Sequence, residues 1–225
     1  MAERVDFDDY ADRYEGLLQD QLAFFSADRG YFSEYKVLTM RATGLQVPRS
    51  ILDFGCGIGL SLPYLQKHFP EATVYATDIS RKSLDHVAGH HPGVTALADA
   101  DVDAHRFDLI QLAGVLHHVP PAQRPALMDR LARLLTPEGS VYVFEHNPFN
   151  PVTRRMVSTC PFDEDAQLLS RRELLALMGQ SGALKPQASG YCLFFPERLG
   201  GLRRLEPALR WLPLGGQYFV RATRS

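Results

Sequence analysis

The chain has 225 residues, with 24 Lys and Arg against 26 Asp and Glu, so its formal net charge is -2. Hydrophobic residues make up 45% and charged residues 22%, which excludes an intrinsically disordered, collagen-like or coiled-coil chain. The near-neutral charge gives no general electrostatic footprint for nucleic acid, and no apolar run approaches the ~18 residues that a membrane span needs.

The cysteines and the N-terminus predict the cellular compartment. Cys56, Cys160 and Cys192 are odd in number, far apart, and match no metal-binding spacing. The N-terminal residues are acidic and polar, without an apolar segment of signal-peptide length. We therefore expect a cytoplasmic, enzyme-sized protein with reduced thiols and no bound metal.

Strand-like and helix-like segments alternate through the middle of the chain. Strands are expected at 50–54, 73–77, 94–98, 107–112 and 141–144, with helices at 60–69, 80–89 and 121–135. A capping box from Ser170 to Glu173 predicts a later helix that ends near Gly182, and two final strands are expected at 184–195 and 217–223. This order predicts an α/β fold with a mainly parallel, seven-stranded sheet whose last strand is antiparallel, because no crossover helix precedes that strand.

Three stretches do not follow the alternation. Residues 1–49 are rich in aromatic side chains and are expected to form a helical cover over the core at 50–146. Residues 147–169 and 196–216 are long excursions of the kind that usually serve as lids or binding loops. We expect all of these to belong to a single domain, residues 1–225.

A glycine-rich loop after the first strand carries the strongest functional signal. Asp53 is followed by Gly55, Gly57 and Gly59 at the junction with a helix. Glycines there let the chain turn sharply and let a ligand approach the backbone. Asp78 lies directly after the second strand, where a carboxylate can accept both hydroxyls of a nucleoside ribose.

Two ligands fit this arrangement, and a simple tight turn would also need glycines. A dinucleotide site requires G-x-G-x-x-G, but Leu60 stands where the last glycine should be. Asp53 instead suits a positively charged ligand, such as an amino-acid ammonium group. An NAD-dependent oxidoreductase therefore remains as the alternative.

The D-x-G-x-G-x-G loop followed by an acid resembles the class I S-adenosylmethionine-dependent methyltransferases. Residues 98–100, 107–110, 116–119 and 135–139 resemble further segments of this family, and Leu116 to Val119 reads L-H-H-V, as in ubiquinone and menaquinone methylases. Residues 7–14 resemble the family's N-terminal segment. The resemblance implies a Rossmann-like three-layer sandwich and S-adenosylmethionine as cofactor.

The resemblance also implies which residues bind that cofactor. They are Asp53, Gly55, Cys56, Gly57, Gly59, Asp78, Ile79, Asp99, Ala100, Ala113, Leu116 and Tyr14. Asp78 would bind the ribose, Ile79 would pack on the adenine, and Asp99 would accept from the adenine amine. Tyr14 would close over the sulfonium, although it fits equally well as a core-packing residue of an amphipathic helix. Asp99 could also belong to a solvated acidic loop.

The rim of the sheet supplies candidate catalytic residues. His117 and His118 are expected near the methyl-transfer edge, where histidine can take a proton from a hydroxyl substrate. They could instead orient the loop after the fourth strand through hydrogen bonds. Methyl transfer asks little of side chains, because the sulfonium is already activated and positioning supplies much of the catalysis.

The function implied is transfer of a methyl group to an oxygen, nitrogen or carbon of a small metabolite. A non-catalytic or regulatory protein that binds the same cofactor is the alternative from another class. Residues 147–151 follow the fifth strand rather than the fourth, which argues against a nucleic-acid amine as substrate. Residues 197–212 carry a leucine stripe flanked by arginines and are expected to form a lid, an oligomer contact or a peripheral membrane contact, which leaves a lipid- or sugar-linked substrate open.

Overall fold

A computed structural model describes residues 30–44 and 46–225. Within these ranges seven strands form one mixed sheet: β1 Ser50–Phe54, β2 Thr73–Thr77, β3 Val94–Ala96, β4 Phe107–Ala113, β5 Leu135–His146, β6 Leu184–Cys192 and β7 Gln217–Arg224. Their order across the sheet is β3-β2-β1-β4-β5-β7-β6, and β7 runs antiparallel to both of its neighbours. The predicted mainly parallel sheet with an antiparallel last strand is confirmed.

The strand order changes direction next to β1. The chain passes from β1 outward to β2 and β3, then returns to place β4 on the other side of β1. In an open parallel sheet, such a reversal leaves a crevice at the carboxyl ends of the two strands. The loops after β1 and β4 therefore face a shared space.

Helices cover both faces of the sheet. The α-helices are α1 Tyr31–Thr43, α2 Leu62–His68, α3 Arg81–His90, α4 Asp99–Val102, α5 Arg124–Leu134, α6 Pro151–Ser158, α7 Arg171–Ser181 and α8 Glu206–Leu209. Short 3-10 helices occur at Leu116–His118, Pro121–Gln123, Pro161–Asp163 and Glu197–Leu205. Among the helices described here, none is both long and apolar enough to cross a membrane.

Alternate residues of each strand point to opposite faces, which gives the sheet two separate cores. One core joins α5 and α7 to side chains such as Leu52 and Ile110. The other joins α1, α2 and α3 to side chains such as Ile51 and Phe144. This three-layer arrangement is the one that the sequence predicted.

Several element boundaries differ from the prediction. The helix expected at 121–135 begins as a 3-10 turn at Pro121–Gln123 and continues as α5, with Pro125 in the first turn, where its missing N–H removes no intrahelical hydrogen bond. The strand expected at 141–144 begins earlier, at Leu135, and residues 136–139 lie inside β5 at an irregularity, where the pairing passes from Phe107 and Leu135 to Leu109 and Ser140. Residues 197–209 form 3-10 turns and one short helix.

The capping box at the start of α7 gives a stability prediction. The Ser170 hydroxyl accepts the Glu173 amide at 3.3 Å, and the Glu173 carboxylate accepts the Ser170 amide at 2.6 Å. We expect Ser170→Ala to lower the free energy of unfolding by about 0.5–2 kcal/mol, measured by urea denaturation. Ser170→Thr, which retains a capping oxygen, should lose less; equal losses in both variants would contradict this account.

Candidate active site

A cavity of about 680 Å³ opens at the carboxyl ends of β1, β2, β4 and β5. Its volume lies within the ~300–1,000 Å³ typical of small-molecule sites. Side chains from α1, α6 and the start of β7 complete its wall. The cavity therefore occupies the crevice that the strand order creates.

The glycine loop forms the floor of one end. Gly55, Gly57 and Gly59 have φ angles of 76°, 52° and 86°, a region that other residues rarely adopt. A Cβ atom at Gly55 would lie 2.5 Å from the Val115 side chain, and one at Gly59 would lie 2.6 Å from Leu62. The loop conformation therefore requires glycine at these positions.

Asp78 connects this loop to the end of β2. One carboxylate oxygen accepts the Gly57 amide at 2.8 Å, and the other accepts the Ser80 amide at 2.9 Å. The Gly55 and Cys56 amides add a second connection, since both donate to the Thr77 carbonyl, at 2.8 and 3.0 Å. The Asp78 carboxylate consequently lies at the cavity wall in a fixed orientation.

Asp53 at the end of β1 is a buried carboxyl group, 3% exposed, that lines the same cavity. Burial raises its pKa to about 7. Two neighbours oppose this shift and lower the pKa: the Gln111 amide, which donates to the carboxylate at 3.0 Å, and the positive charge of Lys36. Burial also lowers the pKa of the Lys36 ammonium, which lines the cavity from α1. Lys36 was not predicted from the sequence, because nothing in its neighbourhood along the chain marks it as facing a ligand.

His117 lies on the other side of the cavity, directly after β4, and is paired with a buried glutamate. Its Nδ1 lies 2.6 Å from Glu145, whose second oxygen accepts the Val115 and Leu116 amides at 3.1 and 2.7 Å. Burial lowers the pKa of His117, but Glu145 and Asp163 outweigh burial and raise it to about 10. A protonated imidazole has no lone pair, so this arrangement favours the orienting role of His117 over the general-base role.

His118 joins the same polar cluster through two aspartates. Its Nε2 lies 3.3 Å from an Asp163 oxygen and its Nδ1 lies 3.2 Å from Asp165, while the Nε2 of His117 lies 3.5 Å from the same Asp163 oxygen. Burial would raise the pKa of Asp163, but its hydrogen bonds to both histidines hold that pKa well below the usual range. Asp163 and Asp165 belong to the excursion at 147–169, and their place beside the histidines was not predicted.

Three buried polar atoms at this cavity have no hydrogen-bond partner among the residues described. They are Nδ1 of His146 and the side-chain oxygens of Gln111 and Gln217. His146 and Gln217 are cross-strand partners on β5 and β7, so they face the cavity side by side. Because an unpaired buried polar atom costs about 1–3 kcal/mol, these atoms favour a ligand that pairs with them.

Most residues that the sequence predicted at the site are brought together. The cavity is lined by Asp53, Gly55, Cys56, Gly57, Asp78, Ile79, Asp99, Ala113, His117 and His118. Asp99 also pairs with Arg130 at 2.7 Å, so its carboxylate is shared with that guanidinium. Tyr14 lies outside the described residues.

Three predicted contacts do not line the cavity. Leu116 is fully buried in the core beneath the loop after β4. Gly59 packs against Leu62 and His91, and Ala100 is exposed on α4. These three residues are not part of the cavity wall, and their contacts with a cofactor stay predictions.

The chain matches a family of known proteins over most of its length. A sequence model of the family described as a methyltransferase domain matches residues 14–183. The chain is 31% identical over 156 residues to the trans-aconitate 2-methyltransferase of Methylobacterium radiotolerans, covering 68% of this chain and 58% of that protein. It is 35% identical over 103 residues to a ubiquinone biosynthesis O-methyltransferase of Coxiella burnetii, covering 42% of each.

A Synechococcus protein of uncharacterized function is 37% identical over 124 residues, 51% of this chain and 29% of that protein. The chain thus matches between 29% and 58% of the length of these curated relatives.

Solved structures share the fold. A TehB-like SAM-dependent methyltransferase from Corynebacterium glutamicum superposes with a TM-score of 0.63 at 17% identity, covering 97% of this chain and 98% of that one. The magnesium protoporphyrin IX methyltransferase of Synechocystis, solved with bound S-adenosylhomocysteine, gives a TM-score of 0.60 at 17% identity, with coverages of 98% and 100%. At these identities the likeness establishes the architecture.

The buried carboxyl of Asp53 predicts a pH-dependent effect on stability. The carboxyl ionises near pH 3.8 when exposed and near pH 7 in the folded chain, so its ionisation increasingly opposes folding as the pH rises between these values. At 1.36 kcal/mol per pKa unit, the penalty above pH 7 is on the order of 4 kcal/mol.

We therefore expect the free energy of unfolding of Asp53→Asn to increase relative to that of the wild type between pH 4 and pH 7. Above pH 7 the difference between the two free energies should stay constant. Denaturant titrations at several pH values measure this difference. Any fixed cost of the asparagine cancels, because only the change with pH is compared. A difference that does not vary with pH would show that Asp53 is ionised throughout.

Proposed function

Because the chain belongs to the class I S-adenosylmethionine-dependent methyltransferases, we propose that it transfers a methyl group from S-adenosylmethionine to an oxygen, nitrogen or carbon atom of a small molecule. The observation that carries this proposal is the glycine loop bonded to Asp78 at the cavity wall. Both features lie where the strand order opens the sheet.

The cofactor fits the end of the cavity near β1 and β2. We assign the ribose hydroxyls to Asp78, since a carboxylate offers about four lone-pair positions and this one is fixed at the wall. Ile79, 66% exposed at the cavity, would cover one face of the adenine. Asp99 would accept from the adenine amine while Arg130 keeps its carboxylate in place.

The amino-acid end of the cofactor would lie toward Asp53. A cationic group there favours the ionised carboxylate, which burial otherwise disfavours. Gln111 donates to this carboxylate, and its side-chain oxygen is buried at the cavity without a partner among the described residues. The pair thus forms an anionic, hydrogen-bonded end for a zwitterionic group.

The cofactor supplies an activated methyl group, whose bond to sulfur breaks as the acceptor's lone pair bonds to the carbon and the electron pair returns to sulfur. The protein's task is alignment and the exclusion of water, and alignment of a reacting pair is worth about 7–11 kcal/mol. Phe32, Met156, Val157 and Phe195 form apolar wall on the acceptor side. These side chains would press the acceptor toward the methyl group.

The acceptor is inferred to combine an apolar body with polar groups. The apolar wall suits the body, and the polar residues His146 and Gln217, which line the cavity and each have a buried atom without a partner among the described residues, suit the remainder. The relatives named as trans-aconitate and ubiquinone-pathway methylases suggest organic acids and phenols as the first compounds to test. We also propose a reducing, cytoplasmic setting, since all three cysteines are free.

The function is tested by binding followed by turnover. Calorimetry should give binding of S-adenosylmethionine and S-adenosylhomocysteine but not of NAD. The purified chain should then transfer a labelled methyl group to a member of a panel of phenols, enols and carboxylic acids. Tight NAD binding without response to the other two ligands would refute the proposal, and cofactor binding with no turnover on any acceptor would favour the non-catalytic alternative.

The role of Asp78 is tested with a variant and a modified ligand together. Asp78→Ala should weaken S-adenosylhomocysteine binding at least about tenfold, since hydrogen bonds to a charged group contribute roughly 1.5–3 kcal/mol. Asp101→Ala, an exposed acid on α4, is the matched control and should bind normally.

Because Asp78 also holds the glycine loop, the ribose contact is isolated with a 2′-deoxy analogue. The wild type should bind this analogue more weakly than the parent ligand, and Asp78→Ala should bind both equally. An equal loss in the two proteins would place the hydroxyl elsewhere.

A further inference from the structure

Two imidazoles and a carboxylate converge at the acceptor end of the cavity. His117 and His118 occupy the 3-10 turn after β4, and Asp163 ends a second 3-10 turn that lies against them. All three residues line the cavity, and one ligating atom from each lies within 4.8 Å of the others. The proposed function does not require any of these three residues to bind a ligand.

The hydrogen bonds around the two histidines leave both Nε2 atoms facing one oxygen. Each Nδ1 points at its own carboxylate, Glu145 for His117 and Asp165 for His118. Each Nε2 lies near the same Asp163 oxygen, at 3.5 and 3.3 Å. With each Nδ1 directed at its own carboxylate, the Nε2 atoms are the ring nitrogens that face Asp163. In the metal-free chain the proton on Nε2 of His117 makes this contact favourable, and a bound metal ion would take the place of that proton, because metal ligands must be deprotonated.

Two of the three ligand separations, from Asp163 to His118 at 3.3 Å and to His117 at 3.5 Å, match the coordination shell of a metal ion. With metal–ligand distances of about 2.0–2.1 Å, neighbouring ligands of a tetrahedral site lie about 3.3 Å apart. Metal-bound histidines usually donate their other N–H to a carboxylate, as Glu145 and Asp165 would accept here. Three carboxylates around two imidazoles also supply the negative charge that a dication requires.

We propose that His117, His118 and Asp163 bind one divalent transition-metal ion at the acceptor end of the cavity. Two imidazoles with one carboxylate suit Zn²⁺ or Fe²⁺ rather than Mg²⁺ or Ca²⁺, which prefer oxygen ligands. Three protein ligands leave coordination positions open toward the cavity. The sequence predicted no metal, because Asp163 and its neighbour Asp165 reach the histidines only through the folding of residues 147–169.

The ion also specifies the class of acceptor, and this part of the inference rests on the proposed function. A metal with open positions beside the methyl-transfer end would bind an oxygen of the acceptor and lower the pKa of a hydroxyl. The hydroxyl proton would leave to solvent, and the resulting oxygen anion would attack the methyl carbon. This predicts an acceptor with a hydroxyl or enol oxygen, and it removes the need for His117 to act as a base.

Metal binding by the 225-residue chain, measured without cofactor or acceptor, tests the site independently of methyl transfer. The chelated and dialysed protein should bind one Zn²⁺, or one Fe²⁺ under anaerobic conditions, by calorimetry and elemental analysis. X-ray absorption should give nitrogen and oxygen ligands at about 2.0–2.1 Å, with an imidazole signature and no sulfur.

Variants then locate the ion. His118→Ala and the isosteric Asp163→Asn should each weaken Zn²⁺ binding more than about 100-fold, and Asp165→Asn, which acts through His118, about 10–100-fold. The stacked surface histidines His86 and His90 are an alternative place for an added ion. The control is therefore His86→Ala with His90→Ala, which should bind normally. Circular dichroism and thermal unfolding confirm that each variant is folded.

Several results would overturn the inference. They are wild-type affinity in a folded Asp163→Asn, loss of the ion in the control at 86 and 90, or no stoichiometric binding by the wild type. If the ion binds as proposed and its removal lowers kcat or raises the KM for the acceptor without changing S-adenosylhomocysteine affinity, the acceptor role is supported. If the ion binds but no methyl transfer is found, the proposed function fails while the metal site stands.

Discussion

The hydrogen bond from the Gly57 amide to Asp78 joins the two strand ends that define the site. It ties the loop after β1 to the residue after β2, while the reversal of strand order leaves the space above them open. The positive φ angles of the loop glycines make this approach possible, and a side chain at Gly55 would collide with Val115. The cofactor end therefore depends on a backbone conformation more than on any reactive side chain.

The acceptor end is organised by buried charge instead. Glu145 accepts hydrogen bonds from two backbone amides and from His117, and these bonds fix the turn after β4. Asp163 and Asp165 complete the cluster through their contacts with His118. Buried charges are costly unless they are paired and hydrogen-bonded. The proposed acceptor end differs from the apolar wall around it in two ways. It contains several paired charges, and it lies beside polar atoms of His146 and Gln217 that have no partner among the described residues.

Much of the fold and the place of the glycine loop beside Asp78 could be predicted because their signals are local in sequence. The strand before Gly55 and the acid after β2 lie within short patterns, and the residue at 78 is close to the loop along the chain. For Leu116 the pattern gives the neighbourhood but not the direction of the side chain, which lies in the core. The boundaries of α5 and β5 differ from the predicted ones. The α-helix starts at Arg124, with Pro125 in its first turn, and β5 includes a strand irregularity.

The acceptor end could not be read in the same way, because its contacts join distant segments. Glu145 reaches His117 from β5, and Gln217 meets His146 only through antiparallel pairing of the last strand. Asp163 comes from an excursion whose path depends on tertiary packing. Sequence patterns indicated that this excursion matters, but not which of its side chains enter the cavity.

A crystal structure of the chain with S-adenosylhomocysteine tests the central claim most directly. The account predicts both ribose hydroxyls within hydrogen-bond distance of the Asp78 carboxylate, the ligand backbone against residues 55–57, and the amino-acid end toward Asp53. A ligand bound elsewhere in the cavity, or a loop whose Gly57 amide no longer meets Asp78, would contradict it.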